Sequence, residues 1–258
     1  DKVKKKMMDK EIPFSQIPPK DLPLYIKAEE AEWEEWQKQG SVRVCSLQES
    51  KEVNRDVEPA RIIGLRFVYR DKNASVRTPQ VDLPVKAKAR LCAQAWNEPL
   101  AKAGLIKVDA PTVQRVGVMI FFQVTVQFGW IKHWRKGDVK AAFLQGKDRD
   151  VDKNGKLYLR PPKDRPLTGV PFGCLLEVIK SVYGLPDAPR AWWEEITGYL
   201  KKCGFQACRL DPAFLIYYYP DGSIGIIIVL HVDDIMIAND GSKLTEKIVV
   251  EIHDKYPF

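Results

Sequence analysis

The sequence holds no C-x-x-C pair, no repeat of fixed period and no apolar run near the ~20 residues that span a bilayer. Each absence removes a class of answer. The five cysteines, Cys45, Cys92, Cys174, Cys203 and Cys208, are odd in number and widely spaced, which signals neither a disulfide framework nor a zinc site and fits a reducing compartment. The longest apolar stretches are of the size of Ile226–Leu230, and no charged and apolar leader pattern opens the chain. The expectation is a soluble intracellular protein with no membrane partner. Wholesale disorder is excluded as well, because 258 residues of 45% hydrophobic content can bury one or two cores.

A large excess of one charge is also missing. Lys and Arg number 41 against 34 Asp and Glu, a net charge of +7, which permits a polyanionic partner without requiring one. The distribution is more informative: residues 61–137 carry 14 basic and 4 acidic side chains, while the segments on either side are slightly acidic. One segment holds the whole excess. The chain opens on Asp1 and stops at Phe258, so a piece of a longer protein is expected.

Five lysines fall in the first ten residues, and the Pro-containing stretch to Pro23 lacks periodicity, so residues 1–27 read as a poorly ordered lead-in. Trp33 and Trp36 share a face of a short helix over 29–39 that stops at Gly40, and belong to a core. Residues 62–70 are rich in branched and aromatic side chains and read as a strand. A second strand covers 85–95, where Lys86, Lys88 and Arg90 alternate with apolar residues and so stand about 7 Å apart on one face. That comb suits a phosphate chain; it also suits a solvent-exposed hairpin face. Asp109-Ala-Pro111 opens a helix with Val113, Val116, Ile120 and Val124 at helical spacing. A further helix runs over 189–203 with Trp192, Ile196, Tyr199, Leu200 and Cys203 on its stripe. Residues 157–159 form a short strand, and the runs 213–219 and 223–232 flank the turn Pro220-Asp221-Gly222 as a hairpin.

The second of those runs meets Asp233 and Asp234 before Ile235-Met-Ile-Ala238 resumes the strand. Adjacent carboxylates in an apolar sheet either mark an exposed turn or hold cations, because like charges so close do not both stay ionised without a counter-charge. Asp138, in Gly137-Asp-Val-Lys-Ala-Ala-Phe143, lies in a comparable setting. Only a sheet could bring it to the pair; alone, it could equally cap a helix over 141–145.

Taken together, these residues resemble a family. Asp138-Val-Lys-Ala-Ala-Phe-Leu-Gln-Gly146, Leu157-Tyr-Leu-Arg-Pro-Pro162, Lys180-Ser-Val-Tyr-Gly-Leu-Pro-Asp-Ala-Pro-Arg-Ala-Trp192 and Leu230-His-Val-Asp-Asp234 are similar, in order and spacing, to motifs of copia-type retrotransposon reverse transcriptases. Lys86-Ala-Lys-Ala-Arg-Leu91 and Asp109-Ala-Pro-Thr112 extend the likeness, which covers roughly residues 28–258. No single motif would carry it.

The resemblance implies an α+β fold of right-hand polymerase type, with an N-terminal helix and fingers over 28–137 and, over 138–258, a palm whose antiparallel sheet packs on helices. The resemblance also implies that the chain ends before a thumb or ribonuclease H segment. It further implies an RNA-directed DNA polymerase adding deoxynucleoside triphosphates to a DNA primer on an RNA or DNA template. Two Mg²⁺ ions, or Mn²⁺, would be held by Asp138, Asp233, Asp234 and the Val139 carbonyl. Lys88 and Arg90 would contact the triphosphate, Phe143 would lie beneath the sugar and reject a 2′-hydroxyl, and Tyr183 and Gly184 would line the sugar pocket. A cytoplasmic or nuclear retroelement particle would be its setting.

One departure stands out: His231 occupies the place of a usual tyrosine near the primer terminus, with an expected loss of activity in mild acid. Two other readings remain open. A truncated or decayed element would bind nucleic acid without turnover, and a nucleotide cyclase or RNA polymerase would share the palm, since fold does not fix function. Phe143 and the basic comb speak against the latter two.

Overall fold

The computed structural model describes residues 11–96 and 98–258. Among these, ten strands follow one another as β1 (Val42–Val44), β2 (Ile62–Asp71), β3 (Ala87–Ala93), β4 (Trp134–Asp138), β5 (Tyr158–Arg160), β6 (Leu176–Val178), β7 (Phe205–Ala207), β8 (Phe214–Tyr218), β9 (Ile224–His231) and β10 (Asp234–Asn239). Seven α-helices accompany them: α1 (Leu22–Lys38), α2 (Leu47–Asp56), α3 (Pro99–Lys102), α4 (Arg115–Gln127), α5 (Val151–Asn154), α6 (Ala188–Lys202) and α7 (Lys243–Lys255). The class is α+β, as expected. Two five-stranded sheets form, ordered β1-β6-β5-β2-β3 and β4-β10-β9-β8-β7.

The chain divides into two units, Asp1–Ile106 with Asp148–Pro186, and Lys107–Lys147 with Asp187–Phe258. This differs from the contiguous segments 1–27, 28–137 and 138–258 expected from the sequence. The cause is a long-range parallel pairing of Ile62–Gly64 with Tyr158–Arg160, which returns the chain after residue 147 to the first sheet.

In the first unit, α1 buries Tyr25, Glu29, Trp33 and Trp36 along one stripe. It begins at Leu22, inside the expected lead-in, with Pro23 in the first turn, where its missing N–H costs nothing. Ile12 donates its amide to the Tyr69 carbonyl at 2.9 Å, so order extends further back still. The N-terminal lysines up to Lys10 lie outside the described residues. Strands β2 and β3 pair antiparallel, with Leu65, Phe67 and Tyr69 opposite Ala93, Leu91 and Ala89 on a buried face. The buried Glu29 accepts from the Tyr69 hydroxyl and the Arg165 guanidinium, which supplies the partners that burial of a charge demands.

In the second unit, the β9 run Ile226–Leu230 is apolar throughout because both faces of its sheet are covered. Ile226, Ile228 and Leu230 pack with Trp192, Ile196 and Leu200 of α6 and Val249 and Ile252 of α7. Ile227 and Val229 pack with Phe121 of α4. The sequence suggested α4 to start near Pro111 with Val116 and Ile120 facing inward. Instead it starts at Arg115 and buries Gly117, Phe121 and Thr125, leaving Val116 and Ile120 exposed. The preceding backbone is committed elsewhere: the Val113 amide donates to the Leu230 carbonyl at 2.8 Å and the Gln114 amide to Asp211 Oδ2 at 2.9 Å.

Candidate active site

Asp138 is the last residue of β4 and Asp234 the first of β10, and the two are direct partners across the antiparallel register. Partners across a sheet share a face, so both carboxylates project from the same side. His231 of β9 pairs with Asp234 from the other flank, which leaves Val232 and Asp233 as a two-residue hairpin loop. Asp138 does not cap the following 3-10 turn, Ala142–Gln145, whose N-cap position is Ala141.

The loop is strained and held from outside. Val232 has φ +59°, in the left-handed region that a β-branched side chain rarely enters. A positive φ at the first loop position matches the twist of the flanking strands, which is why two-residue hairpins favour it. The Val232 carbonyl accepts from the Trp192 indole Nε1 at 2.9 Å, and the Asp233 carbonyl from the Val139 amide at 2.7 Å. Val139 is buried. Lys136, two residues before Asp138 and so on its face, brings Nζ to 3.8 Å from Asp234 Oδ1. Neither Trp192 nor Lys136 was marked by sequence for this site; only once residues 134–138 are known to be a strand does its two-residue period put Lys136 on the face of Asp138.

The donors are carboxylate oxygens on facing strands, the ligand type that a hard cation such as Mg²⁺ takes. In donor chemistry they fit. Among the described residues, no three His, Cys, Asp or Glu side chains are arranged as a metal-holding group.

Lys88, Arg90, Tyr183 and Gly184, also expected at the site, belong to the first unit. Val68, Arg70, Lys88, Arg90 and Cys92, on the face of the β2–β3 hairpin opposite its buried one, line a hollow of about 770 Å³ together with Asp71 and Lys72. Arg70 stands directly across from Lys88, and Val68 from Arg90. Like charges facing each other repel, so the wall is suited to an anion. Arg70 comes from the strand that faces the comb, and pairing register, which a single strand does not reveal, adds it to the wall; Lys72 follows that strand directly, its amide donating to the Lys86 carbonyl at 3.0 Å. Burial pushes the Cys92 thiol up to about 11 against the opposing pull of Arg90.

Arg90 also lies over the Tyr183 ring, 4.3 Å from its centroid. The Tyr183 carbonyl accepts the Ala93 amide at 2.7 Å, and Gly184 follows with φ +89°. Tyr183 and Gly184 are thereby brought to the C-terminal end of β3, with the Tyr183 ring beneath Arg90. Phe143 is in the second unit, partly buried against the core of Val139, Trp192 and Leu230. The carboxylates and Phe143 thus belong to one unit and Lys88, Arg90, Tyr183 and Gly184 to the other. Among the described residues no helix is long and apolar enough to cross a membrane.

Residues 51–258 match the family model described as reverse transcriptase (RNA-dependent DNA polymerase). Among curated proteins, the chain is 30% identical over 190 residues to the retrovirus-related Pol polyprotein from transposon RE2 of Arabidopsis thaliana, covering 71% of this chain and 12% of that polyprotein. It is 24% identical over 226 residues to the corresponding polyprotein from transposon TNT 1-94 of Nicotiana tabacum, covering 86% and 15%. The Transposon Ty1-LR2 Gag-Pol polyprotein of Saccharomyces cerevisiae matches at 22% over 205 residues, 78% and 10%. The chain therefore spans about an eighth of the length of these relatives.

Proposed function

Since the chain belongs to the reverse transcriptase family of copia-type retrotransposons, we propose that it adds deoxynucleotides to a primer 3′ end on an RNA or DNA template by two-metal nucleotidyl transfer. The observation that carries this reading is the register pairing of Asp138 with Asp234, with Asp233 in the loop between β9 and β10. Asp138, Asp233 and Asp234, with the Val139 carbonyl, would hold two Mg²⁺ ions. Bound there, such ions supply Lewis-acid stabilisation of the charge that builds on the attacking and leaving oxygens of an in-line displacement.

The remaining roles are those of the chain. Lys88 and Arg90, with Arg70 and Lys72 across the hollow, hold the triphosphate as fixed positive charge. Tyr183 orients Arg90 through its ring face, and Gly184 lets the backbone come close. Phe143 lies beneath the incoming sugar and excludes a 2′-hydroxyl. In this reading the first unit supplies fingers and the second the palm, and the partners are RNA template, DNA primer and deoxynucleoside triphosphates in an intracellular particle.

Primer extension on an RNA template by the protein containing this chain, with Mg²⁺, tests the assignment. Asp233→Asn is expected to lower extension by more than about a thousandfold while the circular dichroism spectrum stays unchanged; retained extension refutes the role of Asp233. Equal use of ribonucleotides refutes that of Phe143. Salt-sensitive duplex binding without incorporation favours a binding remnant over an enzyme.

A further inference from the structure

We propose that Trp192 is a positioning residue of the carboxylate site: its indole N–H fixes the Val232 carbonyl and so sets the direction in which Asp233 is presented. The proposal rests on the reading of the carboxylates as cation ligands and adds to it a residue with no charge and no access to substrate.

Each peptide is a rigid plane, and Asp233 is joined to two of them, the Val232–Asp233 plane and the Asp233–Asp234 plane. The carbonyl of the first accepts from Trp192 Nε1 at 2.9 Å, and that of the second from the Val139 amide at 2.7 Å. With both planes held, the φ and ψ of Asp233 are determined, and with them the direction of its Cβ. The two donors reach the loop from other elements: Val139 directly follows Asp138, and Trp192 sits on α6. One carboxylate is thus set relative to another through backbone.

The donor on α6 is itself immobile. Trp192 is 1% exposed, its ring meets Tyr256 edge-on at 5.3 Å between centroids, and the Tyr256 hydroxyl donates to Glu195 Oε1 at 2.8 Å. What it restrains has reason to move, because Val232 at φ +59° is strained and relaxes toward negative φ when released. Glycine has no such strain at positive φ. That difference separates a positioning role from plain core packing.

The test uses Mn²⁺ as the probe, with affinity read from the free-ion signal in electron paramagnetic resonance. Trp192→Phe keeps the aromatic contact and removes the N–H. It is expected to weaken Mn²⁺ binding about tenfold, the scale of one lost hydrogen bond, and Trp192→Phe/Val232→Gly is expected to recover most of that loss. Unchanged affinity in Trp192→Phe, or no recovery in the folded double variant, overturns the proposal while a loss in Asp233→Asn leaves the cation reading standing. Undiminished Mn²⁺ binding in Asp233→Asn, or no binding by the unsubstituted chain, overturns both. A measurement without substitution guards against a variant that fails to fold: the Trp192 indole N–H resonance is expected to shift on Mg²⁺ titration, and its constancy counts against the role.

Discussion

Gly184 shows how little room one residue can have. A Cβ built there would stand 2.1 Å from the Ala93 carbonyl oxygen, and its φ is +89°, so any side chain meets both a backbone clash and a disfavoured conformation. Gly184→Ala is expected to destabilise the first unit by about 3 kcal/mol or more, measured as a lower denaturation midpoint. At Cys92 the expectation concerns reactivity: with its thiol pushed up to about 11 by burial, it should alkylate at neutral pH about a hundredfold more slowly than an unperturbed cysteine, despite a neighbouring arginine. Among residues, the carboxylates were legible, because Asp138, Asp233 and Asp234 interrupt apolar sequence and a charge in such a place needs a reason. Trp192 was legible only as core. Its spacing with Ile196 and Leu200 reports burial, whereas the carbonyl that its indole meets is fixed by the tertiary fold.

At the scale of elements, α2 is opened by a reciprocal cap. The Ser46 hydroxyl accepts the Glu49 amide at 3.1 Å, and Glu49 Oε2 accepts the Ser46 amide at 2.7 Å. Ser46→Ala is expected to cost about 1 kcal/mol, read as a lower melting temperature, with Glu49 still paired to Arg43 at 3.0 Å. Alternation made β2 and β3 readable, since one face is buried and the other polar. Helix α4 was readable as a helix but not in its orientation: it is apolar nearly all round, so its pattern carries no phase, and two of the three residues it buries, Gly117 and Thr125, are not ones that hydrophobicity marks. Its closest approach is made by Gly117, where a Cβ would meet Asp211 Oδ2 at 2.7 Å. The onset of α1 was hidden for another reason, the prolines before and within its first turn.

For the whole molecule, acid is the informative perturbation. In the first unit, burial alone would raise Glu177 and Asp71, yet Lys156 and Arg43 hold Glu177 below the usual carboxylate range, and the Asn73 and Lys86 amides with Arg77 do the same for Asp71. In the second unit, hydrogen bonds from Thr245, Ser242 and Tyr219 outweigh burial at Asp240. A carboxyl lowered by folding stabilises the native state fully above its unfolded value, and that contribution is lost as pH falls through its folded value. Melting temperature is therefore expected to hold above about pH 5 and to fall progressively below about pH 4; a melting temperature that rises on acidification contradicts this. The discontinuous units were the part of the fold that no local pattern announced, because the pairing of β2 with β5 joins residues far apart in sequence. That discontinuity also governs assembly on the ribosome. Strand β1 has β6 as its neighbour and β4 has β10, so each of these early-made edges waits for a partner synthesised much later. At bacterial to eukaryotic elongation rates, β1 stays unpaired for on the order of ten seconds. A nascent chain arrested before Val178 holds one open sheet, the lone strand β4 of the other, and no finished unit, which makes translation speed and chaperone capture matter to its assembly as well as final stability.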